Sequence, residues 1–373
     1  MKKNRLSSYF LLVSIFICAV FIIFVRHRIL SGETLDIFPS FLPEPAIEVV
    51  SGNNGNYIKW VDFNVSYEAL STAYDLDVGS YDKDVHLNWI ELLAYVGAKN
   101  GGSFGKNSIS LLNKLAKELS SGETTLSELT KDMEYYEYYY EAYEAVLGGM
   151  VGEYEIEQQN EAGEKVWKKV YGLKAFSPIA KGFPYNDYDD FGSARSYGYS
   201  RPHLGHDMMG QIGTPIIAIE SGYVEALGWN QYGGWRIGIR SFDGKRYYYY
   251  AHLRQNFPYA LDLKEGSVVT AGDVIGYMGH TGYSTVENTN NIETVHLHWG
   301  LQLIFDESQK EGNNEIWIDC YALTRFLYKN RSLTEKNTET KEWFRVYDMK
   351  DPAVEAYQMQ PQTVPNDTQT PAE

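Results

Sequence analysis

The sequence predicts a multidomain α + β protein, with an N-terminal membrane helix, an α-helical domain and then a mostly antiparallel β-sheet domain. Three observations predict it. One uncharged apolar run, Tyr9 to Val25, stands between basic residues. From residue 62 to about 150, apolar residues recur at spacings of three and four. From about residue 172 to 305, short β-favouring runs are cut by glycine turns at fairly regular spacing, which is an all-β signature.

Composition bounds the reading. The chain of 373 residues has room for about two domains, and its 44% hydrophobic content can fill real cores. A formal charge of −16 without any long Lys/Arg run excludes an extended nucleic-acid surface and is compatible with a soluble ectodomain. The 31 tyrosines and 8 tryptophans suit polar ligands such as sugars or peptides. Tyrosine standing in for Phe and Leu at half-buried positions is the preferred account of them. Cys18 and Cys320 provide neither a disulfide framework nor a cysteine-type zinc site.

Taken in order, residues 1–28 read as a cytoplasmic stub and a transmembrane anchor. Lys2, Lys3 and Arg5 precede the apolar run, and Arg26 and Arg28 follow it. The expectation is a single-pass membrane protein with an extracytoplasmic body. The alternative is secretion after signal cleavage, although only RHRILSG follows Val25, without an A-x-A-like site. Residues 29–61, with FPSFLPEP and SGNNGN, read as a linker. Residues 62–150 read as about four helices, with Ser66 and Thr124 as N-caps and Gly148–Gly149 as a stop. Tyr135–Tyr143 then forms an aromatic core face. Residues 151–171 read as a charged connector, a hairpin with AGE at its turn, and 172–332 as the β domain with a return to helix within 316–331. Residues 333–373 read as a largely disordered C-terminal extension.

The chemistry concentrates in the β domain. In TVHLHWGLQL (294–303), His296 and His298 stand two apart and share one face of a strand, with Leu297 and Trp299 on the other. The pair is compatible with two structural histidines, two ligands of one metal, or one ligand and one base. In RPHLGHDMMG, His203 and Asp207 are four apart and share a face, whereas His206 falls on the other parity if the segment is extended. In YYYYAHL, His252 shares strand parity with Tyr250 and Tyr248. An H-x-x-x-D spacing is common by chance, and a lone histidine is more often structural, the class to which His27, His86 and His280 are assigned. A hydrolytic zinc site needs three His or carboxylate ligands, a base for the water and a donor for the oxyanion. These groups would supply them if three strands of one sheet converged.

The order of these pieces resembles the lysostaphin-like or LytM-like zinc peptidases that cut peptidoglycan peptides. That pattern runs from an Arg-preceded H-x-x-x-D, through GTPIIAIESGYV, YAHL and IGYMGHTGYST, to HLHWGLQ, over about residues 195–305. The resemblance implies a mostly antiparallel β fold and one zinc ion held by His203, Asp207 and His298. It implies His252 and His296 as the catalytic pair, one acting as general base and the other orienting or stabilising the transition state. It also implies a peptidoglycan peptide substrate and a body on the cell-wall side of the membrane. Tyr250 and Trp299 are candidates for substrate contact. Two departures bear on specificity: VENTNNIETV (286–295) is inserted before the closing strand, and that strand reads HLHWG where the family has an aromatic and then Glu. The alternative is a non-catalytic wall-binding or assembly scaffold that retains the fold.

Overall fold

Ser66 turns the chain from extended backbone into the first helix. Its side chain accepts from the Ala69 amide, one of the donors a helix leaves unpaired at its start. The computed structural model describes residues 57–196, 200–312 and 314–360. Among these, α1 (Tyr67–Ser80), α2 (Trp89–Asn100), α3 (Lys106–Ser120), α4 (Leu126–Thr130) and α5 (Tyr136–Leu147) follow in turn. Thr125, not Thr124, caps α4, in a reciprocal box with Glu128. The region holds five helices where about four were expected, because the helical run breaks between α4 and α5. Thr130 bonds back to the Leu126 carbonyl there and Asp132 follows, both weak helix formers. Tyr136, Tyr139 and Tyr143 are buried at spacings of three and four, so the tyrosine cluster is a core face.

The strands begin with a hairpin, β1 (Val151–Gln159) and β2 (Lys165–Leu173). Asn160 fixes its turn by accepting from the amides of Ala162 and Glu164 at 3.0 and 2.9 Å. Short strands β3 (Asn186–Asp187), β4 (Ala194–Ser196), β5 (Ser200–Pro202), β6 (His206–Met209) and β7 (Pro215–Ile217) come next. They lead to β8 (Gly222–Asn230), β9 (Gly234–Ser241), β10 (Arg246–Ala251), β11 (Val268–Val269), β12 (Val274–Tyr277), β13 (His296–Leu303) and β14 (Ile316–Ile318). The main sheet has the order β11-β8-β9-β10-β13-β6-β3, with β14 also on β13, and its pairs are antiparallel.

Strand alternation divides this sheet. Ile237, Ile239, Tyr248, Tyr250, Leu297, Trp299 and Leu301 are buried on one face, in a core continuous with Leu70, Leu93, Tyr143 and Phe326. Phe326 lies on α6 (Tyr321–Leu327), where it packs on Tyr74 and Trp89. The helical region therefore shares one core with the sheet. Arg246 locks the junction: Nε and Nη2 donate to Glu220 at 2.8 and 3.1 Å, and Nη1 donates to the Ala145 carbonyl at 3.1 Å near the end of α5. Truncating one partner of a buried ion pair strands the other, so Arg246→Ala should lower stability by about 3–5 kcal/mol. A urea midpoint that implies a loss below about 1 kcal/mol would show that the junction is held by packing alone.

The expectation of a disordered extension from residue 333 is corrected as far as residue 360. β15 (Thr334–Lys336) pairs with β16 (Trp343–Arg345), β17 (Met349–Lys350) joins β1, and α7 (Pro352–Met359) follows. Asp351 caps α7 by accepting from the Ala353 amide, with Pro352 in the first turn, and Lys174 pairs with it at 2.8 Å. The expected return to helix begins only at Tyr321, because Ile316–Ile318 is a strand against β13. The expected membrane segment, Tyr9 to Val25, lies outside the described residues. No helix among the described residues is long and apolar enough to cross a membrane.

Candidate metal centre and groove

Three neighbouring strands, β10, β13 and β6, bring the chemistry together. In their register His298 stands opposite Asp207 on one side and Ala251 on the other. Leu297 and Trp299 point into the core, leaving His296 and His298 on the open face. His203 arrives from the loop before β6, held by backbone bonds to Gly192 and Ser193. Its Nε2 lies 3.0 Å from Asp207 Oδ1 and 3.1 Å from His298 Nδ1, and His298 Nδ1 lies 2.8 Å from the same oxygen. Gly205 makes room for this approach, because a Cβ there would lie 2.5 Å from His298 Cε1.

The donor set fits zinc. A tetrahedral ion with bonds of ~2.0–2.1 Å separates its donors by roughly 3.3 Å, so small movements would seat one. His203, Asp207 and His298 form the one group of potential ligands detected among the described residues. Their surroundings prepare the lone pairs. His203 Nδ1 lies 3.0 Å from Asp190 Oδ1, so its proton sits there and Nε2 is left as the ligand atom. Arg195 pairs with Asp190 and also reaches Asp207 Oδ2 at 3.3 Å, leaving Oδ1 for the cluster. Burial alone would raise the Asp207 carboxyl. The hydrogen bonds to His203 and His298 outweigh that and hold it far below the usual carboxylate range.

His252 and His296 stand beside this set, with ring centroids 4.7 Å apart. His252 Nδ1 faces the Thr281 carbonyl at 2.9 Å, and His296 Nδ1 faces the Thr294 carbonyl at 2.8 Å. A carbonyl can only accept, so both rings carry hydrogen on Nδ1 and keep a basic lone pair on Nε2. His296 Nε2 lies 3.8 Å from Asp207 Oδ1. Burial, then the neighbouring His296 and His298, push the His252 imidazolium well below its ordinary range, so His252 is neutral at pH 7.

Comparison with known proteins finds the same core. Residues 201–311 match the model of peptidase family M23. The chain carries a peptidase family M23 domain. It is 34% identical over 154 residues to the L-Ala–D-Glu endopeptidase of Bacillus subtilis (strain 168), covering 41% of this chain and 44% of that protein. It is 40% identical over 98 residues to lysostaphin of Staphylococcus simulans, 26% of this chain and 17% of that one. The catalytic domain of that lysostaphin in crystals aligns with 38% of this chain and 92% of its own, at 31% identity and a TM-score of 0.30. The chain spans less than half the length of these curated relatives.

The M23 domain opens its site into a cavity of about 700 Å³ lined by His203, Asp207, His252, His296 and His298. Tyr249 and Trp317 continue the lining along the sheet, with their rings 6.1 Å apart. Two expectations are corrected here. Tyr250 and Trp299, the candidates for substrate contact, do not line the cavity: both are fully buried, Tyr250 Oη accepting from the Ile219 amide and Trp299 Nε1 donating to Thr324. His252 likewise does not share a face with Tyr248 and Tyr250. The strand ends at Ala251, and His252 adopts φ +62°, which turns its ring into the cavity with Tyr249. His206 does fall on the other side, against Asp187 at 2.9 Å.

No residue of the insertion 286–295 lines the cavity. Asn288 accepts from Trp235 Nε1 and the Asn256 amide at 2.9 and 2.8 Å, tying the insertion to the loop after His252. Asp190, Arg195 and Tyr249 were not singled out by the sequence. The first two lie upstream of the H-x-x-x-D segment without periodicity, but strand parity placed Tyr249 opposite Tyr250.

Proposed function

We propose that the chain is a membrane-anchored zinc endopeptidase that hydrolyses peptide bonds of bacterial peptidoglycan. The observation that carries the reading is the convergence of His203, Asp207 and His298 with two Nε2-basic histidines in one open cavity. When bound, zinc would polarise the scissile carbonyl and acidify a water. His252, neutral and buried, takes the proton of the attacking water on Nε2 and passes it to the leaving amine. His296, which lines the cavity 3.8 Å from Asp207 Oδ1, is placed to stabilise the oxyanion through a proton on Nε2. Asp190 orients His203 and Arg195 orients Asp207, so neither need touch substrate.

A scaffold that only retained the fold would be expected to lack a ligand or to have a plugged groove. All three ligand residues are present, and neither the insertion nor the described helices α1–α5 line the cavity. Purified muropeptides incubated with the zinc-loaded protein should yield new fragments by mass analysis, and a chelator should stop their formation. Stoichiometric zinc with no cleavage would leave the scaffold reading instead. The anchor rests on the sequence of residues 9–25, and a chain lacking residues 1–28 should leave the membrane fraction. Retention there would remove it.

A further inference from the structure

Away from the zinc ligands, the groove's charged lining can be sorted by whether each charge already has a counter-charge. Arg195 is engaged by Asp190 and Asp207, and Lys310 by Glu225 and Glu307. Glu315 accepts from Trp317 Nε1 at 2.7 Å. Glu311 also lines the groove, and no ion pair joins it or Glu315 among the described residues; of the cations, two guanidinium groups remain. Arg201 donates to the Tyr283 hydroxyl at 3.0 Å and lies over the rings of Tyr232 and Tyr283, but it pairs with no carboxylate among the described residues. Arg236 is the more informative. Its Nε is buried without a hydrogen-bond partner among the described residues, although the side chain lines the cavity.

The sheet explains how Arg236 comes to be there. It stands on β9 two residues from Gly238, on the face that carries Tyr247 and Tyr249 of β10. A Cβ at Gly238 would lie 1.9 Å from the Tyr247 hydroxyl, so this glycine lets the ring cross β9. The hydroxyl then meets the Arg236 guanidinium. Folded proteins rarely leave a buried N–H without an acceptor. A planar fork with an unused donor, in a groove where Arg195 and Lys310 are already paired and Arg201 is not, is built for a bidentate anion.

From this arrangement we propose that Arg236, assisted by Arg201, binds a free carboxylate of the peptide substrate. The groove is then specific for acidic stem peptides and discriminates against uncharged glycine bridges. The inference deepens the peptidoglycan-peptide reading and rests on it. A stem peptide carries a carboxylate on its glutamyl residue and another at its C-terminus, and either would satisfy the fork.

The test compares four substrates with the zinc-loaded full chain: the stem peptide with both carboxylates free, its glutamyl amide, its C-terminal amide, and pentaglycine capped as its C-terminal amide. Amidating one of the two positions should lower kcat/KM at least about tenfold, chiefly through KM, and that position names the bound carboxylate. Arg236→Gln should lose a similar factor on the free acid and little more on that amide, with Arg236→Lys between them. Equal rates on the acid and both amides, a uniform loss in Arg236→Gln, or faster cleavage of pentaglycine would overturn the inference. If no peptide is cut, calorimetric binding of the same four decides. Carboxylate-dependent binding lost in Arg236→Gln keeps the recognition while the peptidase reading falls, and binding indifferent to amidation ends it.

Discussion

His298→Ala will lose zinc and with it essentially all hydrolysis of muropeptides. His298 sits mid-strand between Asp207 and Ala251, and its Nδ1 lies within 3.1 Å of both other ligand atoms. Losing an outer-shell partner of a metal ligand typically costs 10–100-fold in affinity, and losing the ligand itself should cost more than ~100-fold. Activity should fall by ~1,000-fold or more, since the ion also supplies the electrostatics of the reaction. The fold should survive, because the ring lines the groove while Leu297 and Trp299 on either side carry the packing. Zinc at about 1,000 times its dissociation constant stabilises the wild type by ~4 kcal/mol. Adding zinc should therefore raise the wild-type unfolding midpoint far more than that of the variant, whose gain at a site more than 100-fold weaker is at most ~1.4 kcal/mol. A His298→Ala protein that kept one zinc and its activity would sink the ligand assignment.

The placement of these groups was legible in the sequence wherever a strand was regular. Alternation alone put His296 and His298 on one face and Leu297 on the other, and β13 is an unbroken strand. The same rule failed at His252, where the strand stops one residue earlier and a positive φ reverses the parity. That single backbone conformation puts Tyr249, not Tyr250, with His252 in the cavity. Trp299 was misread for another reason: its parity was correctly opposite to His298, which already placed it away from the groove. Asp190, Arg195 and Arg236 act through tertiary contacts from a loop or a neighbouring strand, and no local spacing marks them. The helix at the C-terminus was different, because Asp351-Pro352 is a readable N-terminal signal that the Pro/Thr/Gln-rich residues after it outweighed.

His252→Asn tests the catalytic step separately from the metal. Asparagine tolerates the left-handed backbone that His252 adopts at φ +62°, whereas alanine would add strain of ~1 kcal/mol. The variant should thus fold and bind zinc like the wild type while kcat falls by ~100–10,000-fold, the range for removing a general base. The Thr281 carbonyl accepts from Nδ1 and leaves Nε2 as the sole basic atom, so no other nitrogen of this ring can substitute. The choice between His252 and His296 then rests on which ring must be neutral to work. Burial and two flanking imidazoles disfavour charge on His252, as a base requires. In the residual activity of His252→Asn, the acid limb of the pH–rate profile should vanish. In His296→Asn it should persist on a lowered plateau. An acid limb that instead followed His296 would exchange the two roles without disturbing the ligand set.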